Sequence, residues 1–328
     1  MGNVDPEVVR QFGREWSRFD QSQLPPEESA RSFAEYFSVF PWEELPPSPR
    51  GFDLGCGSGR WAQHVAPRVA ELHCIDPSAQ ALEVAKRNLA PFANCRFHLA
   101  GVDAIPLPDG AMDFGYSLGV LHHVPDTAAA IRSCVAKLKP GAPLLLYLYY
   151  AFDHRSWWFR AVWRTSDLLR RVLCRAPAGL RYLASQLIAG TVYWPLARAA
   201  RLLERRGIAV ESLPLSAYRD KSFYTLRTDA LDRFGTRLER RFTRGQIEAM
   251  MRQAGLEGIK FREVRPHWCA VGHRARGAER DAFRGETTNV GMRGPAWMAS
   301  EPLTGLRDLC QAPNIDPGQQ SARRRGRP

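Results

Sequence analysis

From residue 50 onward the chain repeats one pattern: a short apolar run, a polar or glycine-bearing turn, then apolar positions spaced as on a helix. The pattern predicts strands near 50–54, 70–75, 95–99, 112–117 and 142–148, and helices near 59–67, 78–90 and 127–138. Strands and helices in alternation form a parallel, doubly wound sheet, which binds ligands beyond the carboxyl ends of its strands. Upstream, two helical pieces, around Pro6 to Phe19 and Glu27 to Trp42, are divided at Pro25-Pro26. In the second, Phe33, Tyr36, Phe37 and Phe40 recur at i, i+3, i+4 and i+7 and make an aromatic stripe on one face. The alternation breaks after Tyr150, where a segment rich in Trp, Leu and Arg predicts two or three helices capping the strand ends. A helix from Thr243, its N-cap, to Gly255 then leads into strands near Ile259 to Val264 and Trp268 to Gly272. The chain thereby divides into N-terminal helices over 1–45, a core over 46–150, a helical insertion over 151–215, a return to the core over 216–274 and a tail over 275–328. The tail is aperiodic and rich in Gly, Pro and Arg, so disorder is expected there.

The first strand ends in Phe52-Asp53-Leu54-Gly55-Cys56-Gly57-Ser58-Gly59-Arg60. Glycines at alternate positions allow positive φ and close approach to backbone, and Ser58 is a candidate cap for a helix starting near Gly59. The spacing G-x-G-x-G is neither the G-x-G-x-x-G of a dinucleotide site nor a P-loop, which would end in Lys and Ser or Thr. An acid just before the turn suits a cationic ligand better than a pyrophosphate.

This D-L-G-C-G-S-G-R stretch resembles the first motif of class I S-adenosylmethionine-dependent methyltransferases, and four later signals follow in that family's order. Asp76, in Ile75-Asp76-Pro77-Ser78, stands about twenty residues on, where an acid binds both ribose hydroxyls. Gly101-Val102-Asp103-Ala104 matches the loop that reads adenine, Met112-Asp113-Phe114-Gly115-Tyr116-Ser117-Leu118-Gly119-Val120-Leu121-His122-His123-Val124 the fourth strand and its loop, and Lys139-Pro140-Gly141 the turn into the fifth strand. The resemblance covers about Arg50 to Tyr149, with weaker support from Phe242 to His273. It implies a Rossmann-like seven-stranded sheet, mostly parallel with an antiparallel last strand, and S-adenosylmethionine as cofactor. It also implies roles residue by residue. Gly55, Cys56, Gly57 and Gly59 would form the turn under the methionine part, and Asp53 would attract its ammonium. Asp76 and Pro77 would flank the ribose, Asp103 would accept from the adenine amino group with Val102 and Ala104 at the ring edge, and Leu118 and Gly119 would lend carbonyls.

Methyl transfer is an in-line displacement in which positioning lowers much of the barrier, so a dedicated base is not obligatory. His122 and His123 are candidates for loop positioning or, His123 in particular, for contact with the acceptor. Tyr149, Tyr150 and His154 follow the fifth strand and are candidates to border the acceptor or to pack.

Composition narrows the partners. A formal charge of +12 allows nucleic acid or an anionic membrane surface, and arginine concentrates over Arg155 to Arg206, Arg237 to Arg244 and Arg323 to Arg327. No RNA-binding module and no N-P-P-Y or paired-cysteine catalytic motif is recognisable, which favours a small or lipid-like acceptor over nucleic acid. The Trp- and Arg-rich insertion suits either a pocket or a peripheral membrane contact. A third reading is a scaffold that binds the cofactor without transferring methyl groups. Seven cysteines without a C-x-x-C pair or a tight His/Cys cluster predict neither a disulfide framework nor a metal. No apolar run approaches a bilayer span and the start lacks a secretory pattern, so a cytoplasmic protein is expected.

Overall fold

Seven strands form one sheet in the order β3-β2-β1-β4-β5-β7-β6 in the computed structural model, which describes residues 2–152, 155–263 and 268–276. They are β1 Arg50–Leu54, β2 Glu71–Asp76, β3 Cys95–Leu99, β4 Phe114–Leu118, β5 Pro143–Leu148, β6 Leu256–Phe261 and β7 Trp268–Arg274. The first five pair in parallel, and β7 runs antiparallel between β5 and β6. The order reverses at β1, which pairs with β2 on one side and β4 on the other, so a crevice opens beyond the carboxyl end of β1.

The strand β5 reads as an unbroken apolar run because helices cover both faces of the sheet, and every residue of β4 and β5 is buried. Side chains alternate all the same: Leu144, Leu146 and Leu148 join one core cluster, Leu145 and Tyr147 the other. The N-terminal helices are α1 Pro6–Arg18, capped by Asp5, and α2 Pro26–Tyr36. Phe33, Phe37 and Phe40 of the aromatic stripe lie in the second cluster. In the core, α3 is Ala62–Val65, α4 Ala79–Asn88 is capped by Ser78, and α5 Thr127–Lys137 by Asp126.

The insertion holds α6 Trp157–Leu173, α7 Ala178–Ile188 and α8 Trp194–Arg205, with a π turn at Ala189–Tyr193. It packs onto α9 Phe223–Gly235 through Tyr193, Ala197, Leu226, Ala230 and Phe234. The N-terminal helices hold α9 in turn: Glu28 accepts from the Ser222 N–H (2.9 Å) and the Thr225 hydroxyl (2.7 Å), and Gln11 donates to Thr236 (2.9 Å). Finally α10 Arg244–Gln253 carries the expected Thr243 cap, completed into a capping box by Gln246.

The helix after the glycine turn departs from expectation. It begins at Ala62, because Gly59 takes a φ of +79° that no helix accepts, and the buried Ser58 hydroxyl caps nothing. A Cβ on Gly59 would also sit 2.9 Å from Leu89 Cδ1 of the neighbouring loop. Gly59→Ala is therefore expected to cost about 2 kcal/mol or more, from left-handed strain plus overpacking. A urea midpoint equal to that of the unmodified protein would refute this. Two further differences are local: the second helical piece stops at Tyr36, and β6 starts at Leu256, three residues early. From residue 277 on, the tail lies outside the described residues.

Candidate active site

A cavity of about 630 Å³ opens at the carboxyl ends of the central strands. Its floor is the turn Gly55–Ser58, with Asp76, Pro77 and Ser78 after β2 and Leu118 to Leu121 after β4. Phe12, Glu15 and Trp16 of α1 form one wall, and Tyr149, Tyr150, Asp229, Asp232 and side chains of α6 form another.

At the floor, Gly57 takes a φ of +54° and lends its N–H to Asp76 Oδ2 at 2.9 Å, while Asp76 Oδ1 accepts from the Ser78 N–H at 2.8 Å. Burial pushes the Asp76 carboxyl up to about 6, and these two backbone donors work against that. The space freed by the missing Gly57 side chain is met by Trp16, whose Nε1 would stand 2.9 Å from a Cβ there. Cys56 also faces the cavity; the Cys74 thiol pulls its pKa down and burial pushes it up, to about 11, so it stays a thiol.

Asp53 does not reach the wall. It lies in the sheet opposite Tyr116, and burial drives its pKa well above the carboxylate range despite the Tyr116 hydroxyl, so the Coulomb argument for an ammonium contact loses its charge. Asp103 and Ala104 are exposed and lie outside the cavity lining, whereas Val102 is in it. The physical reason is the N-terminal segment: the Asn3 N–H donates to Asp103 Oδ2 at 2.9 Å, and Val4 covers Gly101. Gly59 is likewise outside the lining, packed against Leu89. Leu118 and Gly119 are in it.

The two histidines separate. His122 is fully buried outside the lining, stacks on Tyr149 at 3.7 Å, and is held neutral by burial first and then by His123 and Arg241. His123 lines the cavity. Its Nδ1 stands 2.7 Å from the Leu238 carbonyl, which can only accept, so the proton is on Nδ1 and Nε2 carries the lone pair of the neutral ring. That Nε2 is buried without a hydrogen-bond partner, 3.8 Å from Asp232 Oδ1. The Tyr149 hydroxyl donates to the other oxygen of Asp232. Tyr150 lines the cavity, and His154 lies outside the described residues.

Sequence reasoning missed Glu15, Arg60, Asp229 and Asp232. Burial raises Glu15 well above its usual range, and the charges of Asp232 and Asp229 add to this. Burial takes Asp229 up to about 6 against the pull of Arg60. Glu15 did leave a signal, since Val8, Gln11 and Glu15 share the buried face of α1 at i, i+3 and i+7.

Glu15 Oε2, Ser58 Oγ, Arg60 Nε and His123 Nε2 are all buried, without a hydrogen-bond partner among the described residues, and belong to side chains that line this cavity. Acid, guanidinium and hydroxyl orphaned together fit a ligand with a zwitterionic amino-acid end. Asp76 keeps a second lone pair on each oxygen for a diol. The residues present therefore suit a nucleoside joined to an amino acid.

Residues 52–146 match the model of a family described as a methyltransferase domain. The ubiquinone biosynthesis O-methyltransferase of Xanthomonas campestris pv. campestris is 31% identical over 102 residues, covering 30% of this chain and 43% of that protein. The enzyme of the same name from Methylocella silvestris is 29% identical over 157 residues, 42% of this chain and 61% of the relative. The chain thus spans about half the length of the curated relatives it matches. Among solved structures, an O-methyltransferase family protein from Burkholderia thailandensis is similar at 14% identity and a TM-score of 0.47, covering 82% of this chain and 60% of that one.

Proposed function

We infer that this protein, whose residues 52–146 match a family described as a methyltransferase domain, is a class I S-adenosylmethionine-dependent methyltransferase that methylates a hydroxyl oxygen on an apolar small molecule. The observation that carries this reading is the Nε2 of His123, without a hydrogen-bond partner, in a cavity lined by many aromatic rings and beside Asp232. The relatives named O-methyltransferases support the same choice of acceptor atom.

S-adenosylmethionine, when bound, supplies an electrophilic methyl group on a sulfonium. Asp76 would hold the ribose hydroxyls with Pro77 beside them, Val102 would flank the adenine, and Arg60 would take the carboxylate of the amino-acid end. Glu15, whose pKa burial raises with no cation among the described residues to lower it, would ionise against the ammonium. His123 Nε2 accepts the proton of the acceptor hydroxyl as its oxygen gains the methyl group. Asp232 then stabilises the imidazolium, and the Tyr149 hydroxyl holds Asp232 in place. The aromatic wall excludes water, which strengthens these electrostatic effects.

Radiolabelled methyl transfer to a long-chain alkyl catechol, in the presence of this chain and the labelled donor, tests the reading. Label in the ether is expected. Donor binding without label in any phenol would leave a non-catalytic scaffold, and label in RNA instead would turn the assignment toward nucleic acid.

A further inference from the structure

Among the described residues, sixteen large hydrophobic side chains are exposed, and fifteen of them fall between Trp157 and Phe223. Single exposed apolar residues need no explanation, but a concentration of this kind marks a surface that meets something apolar. The helices explain the concentration. Both α6 and α7 press their inner sides against α9, so their outer rows turn away from the molecule. On α7 that outer row is Leu180, Leu183 and Leu187, at i, i+3 and i+7. On α6, Trp157 is 75% and Val172 69% exposed.

The charge on this surface selects the partner. Residues 155–206 contain eleven arginines and two acids, Asp167 and Glu204. Both acids are already paired, Asp167 to Arg170 and Arg171, Glu204 to Arg219. Arg160, Arg164 and Arg175 are exposed among the Leu, Val and Trp of α6 and its end. Apolar rows interleaved with unopposed arginine match the interface of an anionic bilayer, where rings and aliphatic chains enter the acyl boundary and guanidinium groups meet phosphate. No helix among the described residues is long and apolar enough to cross a membrane, which leaves a surface attachment.

The same surface contains the mouth of the cavity. Val162 and Leu169 of α6 and Val192 and Leu196 beyond α7 line the cavity, yet Val162 is 53% and Leu196 46% exposed. Apolar side chains of α6 and of residues 189–196 thus belong both to the cavity lining and to the outer surface.

We propose that the outer rows of α6, α7 and α8 seat this protein on an anionic lipid bilayer, and that an apolar acceptor passes sideways from the bilayer into the cavity between α6 and residues 189–196. The seating stands on the surface alone, and the sideways passage rests on the methyl-transfer reading.

Sedimentation of the full chain with phosphatidylcholine vesicles, with and without phosphatidylglycerol, tests the seating. Binding to the anionic vesicles, weakened by salt, is expected. The variant Leu168→Asp/Val172→Asp/Leu183→Asp changes exposed side chains outside the cavity lining. It is expected to lower vesicle binding by more than about tenfold, since burying one leucine alone is worth about that factor. It should retain methyl transfer to a short-chain soluble catechol and lose transfer to a long-chain one held in vesicles. Equal vesicle binding by the variant would overturn the seating. So would a lipid-free dimer that the variant converts to monomer, because the surface would then belong to a second copy. If neither catechol is methylated while vesicle binding behaves as expected, the functional reading fails and the seating stands.

Discussion

Replacing Asp76 by alanine is expected to weaken binding of S-adenosylmethionine at least about a hundredfold, because the two ribose hydroxyls would lose hydrogen bonds to a charged group worth about 1.5–3 kcal/mol each. Part of the loss would arise inside the protein. Asp76 also ties the Gly57 and Ser78 N–H groups, so its removal frees two backbone donors at the floor of the cavity. Asp76→Asn keeps one acceptor oxygen for them and should bind more tightly than the alanine variant while staying weaker than the unmodified protein. A pH series adds an independent check. The carboxyl without ligand titrates at about 6, raised by burial, and the ionised form accepts from both hydroxyls, so affinity should fall as pH drops through about 6 and level off above it. The asparagine variant should lose that dependence. Calorimetry decides: affinity within threefold for Asp76→Ala, or a flat profile from about pH 5 to 7.5, would remove Asp76 from the ribose site.

The position of Asp76 was legible because everything that places it is local: an apolar run, an acid at its end, and a serine two residues on that caps α4. The same local logic places β1, the glycine turn and the Thr243 cap. It fails where a distant segment decides the outcome. Asp103 has the right neighbours for an adenine loop, yet nothing in that loop announces that Asn3, a hundred residues earlier, binds its carboxylate. Asp53 is an acid at a strand end in sequence, but only the packing of β2 and β4 on either side of β1 determines that it is buried and uncharged. The helix α9 left no amphipathic stripe because Tyr224, Leu226, Thr228, Ala230, Leu231 and Phe234 are buried around most of its circumference. Asp229 and Asp232 therefore had no face to be read from, and the link of Asp232 to His123 joins segments about a hundred residues apart.

Substituting His123 should separate chemistry from binding. His123→Gln can still donate an amide N–H to the Leu238 carbonyl, as Nδ1 does now, but offers no base at the position of Nε2. A base acting in the transition state contributes about a hundred- to ten-thousandfold, so kcat should fall by that range with donor affinity unchanged. Asp232→Asn keeps the shape beside His123 and removes the acid 3.8 Å from Nε2, so it is expected to act as a positioning change, with a smaller loss in kcat and donor affinity unchanged. Tyr149→Phe frees the oxygen of Asp232 that the phenol now holds and should lower kcat less than Asp232→Asn does. A loss below about tenfold in His123→Gln would mean that the acceptor ionises without help from the protein. Catalysis would then rest on placement alone, and the orphaned Nε2 would belong to acceptor binding, visible as a raised KM with kcat preserved.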